Sequence, residues 1–167
     1  EPTPASGVKF ASRAVCPVSQ STKPAAPGRC TCTSYTKPVG ASTLDARTRE
    51  LAIMVACRET NYNLEWNAHE PSAVKAGVDA KVINVVRNGR ALDGVSEKDA
   101  AVIRLGRELY HDKKVDSATF KKAVDLWGKR GVMDMVAVMN TYAVSGYFAI
   151  AVDERSPEGK PELPAVK

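Results

Sequence analysis

The chain has 167 residues, 44% hydrophobic and 26% charged, which suits one soluble globular domain with a sizeable core. Its net charge of +5 is uneven: residues 1–42 hold five basic residues against Glu1, a balance of +4, leaving +1 for the remainder. A nearly neutral folded part disfavours nucleic acid as a partner, and no segment is long and apolar enough for a bilayer, so no membrane association is expected.

Residues 1–42 contain six of the ten prolines, with many Ser, Thr, Ala and Gly and no sustained apolar period, and read as an irregular basic arm. Cys16, Cys30 and Cys32 lie in this arm. The single residue between Cys30 and Cys32 is not the spacing of a zinc knuckle or a thioredoxin-like site, and three thiols leave one unpaired in any disulfide scheme. The chain begins at Glu1 rather than Met, so secretion stays open on this reading.

Helical punctuation begins after the arm. Ser42 or Thr43 is placed to cap a first helix running to about Arg58, with Leu51, Ile53, Met54 and Val55 giving it a buried character. Thr60 or Asn61 opens a second, which Pro71 is expected to kink or restart before Gly77. A short helix over Asp79–Arg87 stops at Asn88-Gly89. Ser96-Glu97-Lys98-Asp99 starts a longer one with Val102, Ile103, Leu105, Gly106 and Leu109 as its apolar stripe. Ser117 opens another through Trp127, halted near Gly128 and Gly131. A final helix over residues 132–152, interrupted in its polarity only by Asp134, Asn140, Thr141 and Ser145, reads as a central buried one. No alternating strand pattern competes, so the fold class is all-α. The expected organisation is an arm over 1–42, a helical domain over 43–153 and a surface tail over 154–167, where Pro157, Pro161 and Pro164 forbid a helix.

Within this frame Glu50, Glu65 and His69 form the pattern Glu-x14-Glu-x3-His. Glu65 and His69 lie four apart, on one helical face, and a carboxylate beside an imidazole fixes its tautomer and raises its basicity. Glu50 sits among apolar residues, where a carboxylate needs a partner; Arg47, three residues earlier, offers a purely structural one. Cys57 shares the Glu50 face but reads as a small core residue. His111, beside Asp112, Lys113 and Lys114, reads as a solvated helix end.

Arg49-Glu50-Leu51-Ala52-Ile53, Glu65-Trp66-Asn67-Ala68-His69-Glu70-Pro71, Ala76-Gly77-Val78 and Gly106-Arg107-Glu108-Leu109 together resemble the carboxymuconolactone decarboxylase family, which includes the alkylhydroperoxidase D-like proteins. The resemblance spans about Thr43 to Val152. It implies an alkylhydroperoxidase D-like helical domain, assembly as homotrimers or homohexamers, and a cytoplasmic location. In the peroxidase branch a Glu is followed by Cys-x2-Cys-x3-His; here Tyr62 and Glu65 stand in the two cysteine positions, which removes a thiol peroxidase.

The decarboxylase branch implies a lyase without an organic cofactor, acting by acid-base chemistry on a small carboxylated lactone or related cyclic compound. Such a reaction needs a proton shuttle and a group that holds the anion. His69 is the expected shuttle, oriented by Glu65 and completed by Glu50. Tyr62 is expected to donate a hydrogen bond into the site, Trp66 to wall it, and Arg58 to hold the anion, with Asn140 and Tyr142 as further candidates on the last helix. Two other readings stay open: a divalent metal held by Glu50, Glu65 and His69, and a non-enzymatic oligomeric binding protein using the arm.

Overall fold

The computed structural model describes residues 42–165, and these are all-α. The arm, with its three cysteines, falls outside the described residues except for Ser42. Five α-helices run α1 Ala46–Glu59, α2 Asn63–Lys75, α3 Ala80–Arg87, α4 Glu97–Arg107 and α5 Ser117–Ala151, with a π-helical turn over Glu108–Asp112.

The central helix is α1, which packs against the other four. Leu51 through Cys57 are seven successive residues with at most 1% exposure. A helix apolar on every side must be enclosed on every side. Its N-terminus is capped by Asp45, which accepts from the Thr48 backbone N–H at 2.8 Å, and not by Ser42 or Thr43. Thr43 instead donates to Asp134 on α5 through both its backbone and its hydroxyl. Thr60 closes α1 by turning its hydroxyl onto the Ala56 carbonyl, and Asn61 adopts a left-handed φ of 54°, so α2 begins later than the sequence indicates, after Tyr62.

Pro71 does not end α2, which continues to Lys75. The carbonyl that Pro71 cannot serve belongs to Asn67, on a half-exposed part of the helix where water can replace the missing donor. Helices α3 and α4 begin at Asp79 and Ser96, whose side chains cap them, and Asn88-Gly89 terminates α3.

Gly106 permits the close approach of α4 to α1: a Cβ there would collide with Val55 Cγ1. Val55 is buried and β-branched and cannot swing aside. Gly106→Ala is therefore expected to destabilise the fold by about 1–3 kcal/mol, read from the midpoint of urea unfolding.

The turn after α4 winds as a π-helix, which no periodicity in the sequence announces. Glu108 fastens it to the start of α5, accepting from the Asp116 backbone N–H at 2.8 Å and the Thr119 hydroxyl at 2.7 Å. His111 is not simply a solvated end: its Nε2 pairs with Glu59, whose side chain is 4% exposed.

Helix α5 breaks at Gly128, where φ 67° and ψ 168° separate an N-terminal arm from the long C-terminal one. That C-terminal arm is not the central buried helix its composition suggests. Met135, Val138, Met139, Ala143 and Ala149 face the core, whereas Val144, Tyr147 and Phe148 are 53%, 57% and 70% exposed. After α5 the chain returns over α1 and α2: Leu163 is buried, its N–H donates to Asn63 Oδ1, and the Pro161 carbonyl accepts from Asn67.

Candidate active site

Glu50, Glu65 and His69 meet. Glu50 comes from α1, where it would be a costly buried charge without a partner, and the i,i+4 pair Glu65 and His69 comes from the adjoining α2. His69 Nδ1 lies 2.8 Å from Glu50 Oε2, and His69 Nε2 lies 3.2 Å from Glu65 Oε2. The imidazole is held between two carboxylates from two helices. Each ring nitrogen thus faces a carboxylate oxygen, and the two together fix the orientation of the imidazole plane.

The structural alternative for Glu50 does not occur. Arg47 binds Asp99 instead, with its two terminal nitrogens 2.5 and 2.8 Å from the carboxylate, and gives its Nε to the Gly77 carbonyl. Glu50 is left to His69.

Solvent access is graded across the cluster. The Glu50 side chain is 12% exposed, His69 20% and Glu65 30%. The Nε2–Glu65 side is thus the longer and wetter contact. Tyr142 of α5 closes another side, its ring 4.9 Å from the imidazole at 84°, an edge-to-face pair. Burial first, then the negative charges of Glu65 and Glu50, push the Tyr142 phenol above its ordinary value, while Arg49 opposes the rise. Tyr142 therefore stays a hydrogen-bond donor at neutral pH. Asn140, the companion candidate, is exposed away from the core.

The other candidate residues sit elsewhere. Trp66 is a core residue at 2% exposure; its indole N–H donates to Glu70 at 3.0 Å and Arg87 stacks 5.5 Å from its ring. Arg58 is buried and committed to the Pro164 carbonyl at 2.7 Å and to Asn61, so it does not serve the triad as an anion partner. Desolvation lowers its pKa, partly offset by Glu59. Tyr62 lies at the start of α2 against Gly146 and lines a groove of about 250 Å³ with Asn63, Ile150 and Glu154. Burial, then Glu65 and Glu154, raise its phenol. Cys57 is fully buried, and burial together with the Glu65 and Glu50 charges pushes its thiol strongly up. A thiol held protonated is a poor nucleophile, consistent with the missing cysteine pair.

The two carboxylates face different ring nitrogens, Glu50 at Nδ1 and Glu65 at Nε2. No group of three or more His, Cys, Asp or Glu among the described residues is disposed to hold a metal.

Arg49 and Tyr142 are the residues the sequence leaves unassigned or unplaced. Arg49 is part of the Arg49-Glu50 pair, and among the described residues its side chain makes no ion pair or hydrogen bond. Nothing in the spacing of Tyr142 could reveal its contact with a ring 73 positions away.

A larger open groove of about 640 Å³, lined by Lys81, Asn84, Arg90 and Asp93, is separate from the triad, and the 250 Å³ groove does not include it either. Comparison with known proteins adds no relative: no family model, no curated protein and no solved structure matches the chain.

Proposed function

We propose that the protein is a carboxymuconolactone decarboxylase-like lyase that removes carbon dioxide from a small carboxylated lactone or related cyclic acid by acid-base chemistry, without an organic cofactor. The observation that carries this reading is the His69 imidazole clamped between Glu50 and Glu65 with a protonated phenol against its edge. That arrangement sets a group able to transfer a proton next to a hydrogen-bond donor, the two things a decarboxylation followed by protonation requires.

In the proposed reaction the carbon–carboxylate bond breaks and its electron pair moves into the conjugated lactone, placing negative charge on the carbonyl oxygen as carbon dioxide leaves. Tyr142 donates a hydrogen bond to that oxygen. His69 Nε2 then delivers its proton to the substrate carbon, the enolate collapses, and solvent reprotonates the ring past the more exposed Glu65. Glu50 keeps the ring oriented through Nδ1 throughout. Arg49 supplies the cation that holds the substrate carboxylate in place of Arg58. The fold assignment to the alkylhydroperoxidase D-like class belongs to the same proposal, supported by the all-α architecture and the order of the quoted motifs.

The test is a panel of carboxylated unsaturated lactones incubated with the protein, following carbon dioxide release together with the change in ultraviolet absorbance. Turnover of at least one member is expected. Complete inactivity across the panel, from protein of full helical content, would reject the reading. With an active substrate, Tyr142→Phe is expected to lower kcat on the order of 10–10²-fold with little change in KM, because the lost hydrogen bond strengthens only as charge develops.

A further inference from the structure

We propose that the groove where the start of α2, the end of α5 and the returning tail meet binds a small aliphatic primary amine in its ammonium form. The ammonium sits between Tyr62 and Glu154, and the alkyl chain lies on Ile150. The groove has a volume of about 250 Å³. A space of this size is smaller than a pocket for a drug-sized molecule and suits a ligand of few atoms.

Tyr62 is the residue that points to a ligand. It is 7% exposed, its ring lies against Gly146 of α5, and it lines the groove. Its hydroxyl makes no hydrogen bond among the described residues, yet it is not one of the enclosed side-chain atoms left without a partner, as the Tyr110 hydroxyl is. The one polar atom of a buried ring therefore opens to the groove. A hydroxyl both accepts and donates, so it can receive an ammonium N–H while giving its own hydrogen to a carboxylate.

Charge selects the sign of the ligand. Asp153, Glu154 and Glu162 set three carboxylates on the groove against one guanidinium, that of Arg155. Arg155 is engaged by Asp153, both of whose carboxylate oxygens lie 3.0 Å from its Nη2. Glu154 is left without an ion pair among the described residues. Burial first, then the negative charges of Glu65 and Glu154, hold the Tyr62 phenol above its ordinary value, and no positive group offsets them. A protonated phenol in such a field favours a cation beside it and disfavours an anion.

The walls select an organic ammonium over a metal ion. Ala149 and Ile150 give the groove an apolar side, with Ile150 58% exposed. A hard cation such as calcium takes about six to eight oxygen ligands and gains nothing from aliphatic carbon, whereas the chain of an amine covers it. The polar walls are already fixed: Asn61 Oδ1 accepts from Arg58, and Asn63 Oδ1 accepts from the Leu163 N–H at 2.6 Å. Binding thus orders little that is not ordered beforehand. The groove is separate from His69, and its ligand is opposite in charge to the carboxylated compound assigned to the triad, so the two sites stand or fall independently.

Titration of the full chain with butylamine at pH 7 and constant ionic strength, followed by amide chemical shifts, tests this. Saturable shifts centred on Tyr62, Asn63, Ile150 and Glu154 are expected. Tyr62→Phe and Glu154→Gln should each weaken binding on the order of 10-fold at unchanged circular dichroism, since each removes a hydrogen bond to a charged group. Asp93→Asn, in the separate groove beside α3, should leave binding as it is. Butanoate, with the same chain length and the opposite charge, should not bind. The proposal is overturned by shifts that never saturate, by shifts that calcium chloride reproduces, by equal binding of butanoate, by an equal loss from Asp93→Asn, or by binding that survives both substitutions in the groove.

Discussion

Replacing His69 by Gln is expected to lower turnover on the order of 10²–10⁴-fold while leaving the far-ultraviolet circular dichroism of the protein unchanged. Gln retains an amide N–H that can donate toward Glu50, so the bond between α1 and α2 is largely kept and the fold has no reason to open. What it cannot do is hold and release a proton at a second nitrogen. His69 touches α1 through Nδ1 and faces Glu65 through Nε2, and only the second of these is needed for transfer to substrate. The loss should therefore fall on kcat and not on KM. Single-turnover kinetics on an active lactone separates the two, and full activity in H69Q would remove His69 from the reaction and with it the proposed mechanism.

Arg47→Met is expected to destabilise the α1–α4 contact strongly. The Asp99 side chain is 4% exposed and receives both terminal nitrogens of Arg47. Removing the guanidinium strands that carboxylate in the core. Breaking a fully buried pair costs about 3–5 kcal/mol, and because Arg47 is itself 31% exposed the loss here should be nearer about 2–3 kcal/mol.

The pH dependence gives this prediction a sign. Burial pushes the Asp99 carboxyl up, but hydrogen bonds from Arg47 and Ser96 and the charges of Arg47 and Lys98 outweigh it and hold the carboxyl below its ordinary value. A folded-state value below the unfolded one of about 3.9 means that the pair stabilises fully above about pH 4 and loses its contribution as the pH falls through the folded value. In R47M burial faces less opposition, the carboxyl moves upward, and protonation relieves the stranded charge. The stability gap between the two proteins should therefore narrow as the pH is lowered from 7 toward 4. Urea titrations at several pH values measure it, and a gap that widens would show that Asp99 is not the source.

Much of the helix layout is legible in the chain because its signals are local. Asp79 and Ser96 cap the helices that follow them, Asn88-Gly89 ends α3, and Gly128 breaks α5, each through bonds or dihedral angles within a few residues. Local signals mislead where one residue has two uses. Thr43 is placed to cap α1 but bonds to Asp134, 91 positions away, and Thr60 closes α1 although its position equally suits the opening of α2. Pro71 leaves α2 intact because its cost depends on whether the freed carbonyl is buried or wet, which is a tertiary property.

The site divides in the same way. Helical period alone links Glu65 to His69, and the oddity of Glu50 in an apolar helix is visible in the chain. Whether Glu50 pairs with Arg47 or with His69 is not, since both partners are compatible with its sequence position and only the packing of α4 decides: Asp99 takes Arg47 and leaves Glu50 to the imidazole.

The all-α class, the helix boundaries set by caps and glycines, and a carboxylate–imidazole pair on one face of α2 thus follow from the chain alone. These are fixed by interactions spanning a turn or less, which any chain of this pattern makes. Packing was needed to establish that His69 is held from both sides, that Tyr142 and not Trp66 stands against it, that Arg58 is occupied by the returning tail, and that Val144, Tyr147 and Phe148 of α5 are exposed. Each of those depends on which helix lies next to which, and burial of α1 on every side is the constraint that sets that arrangement.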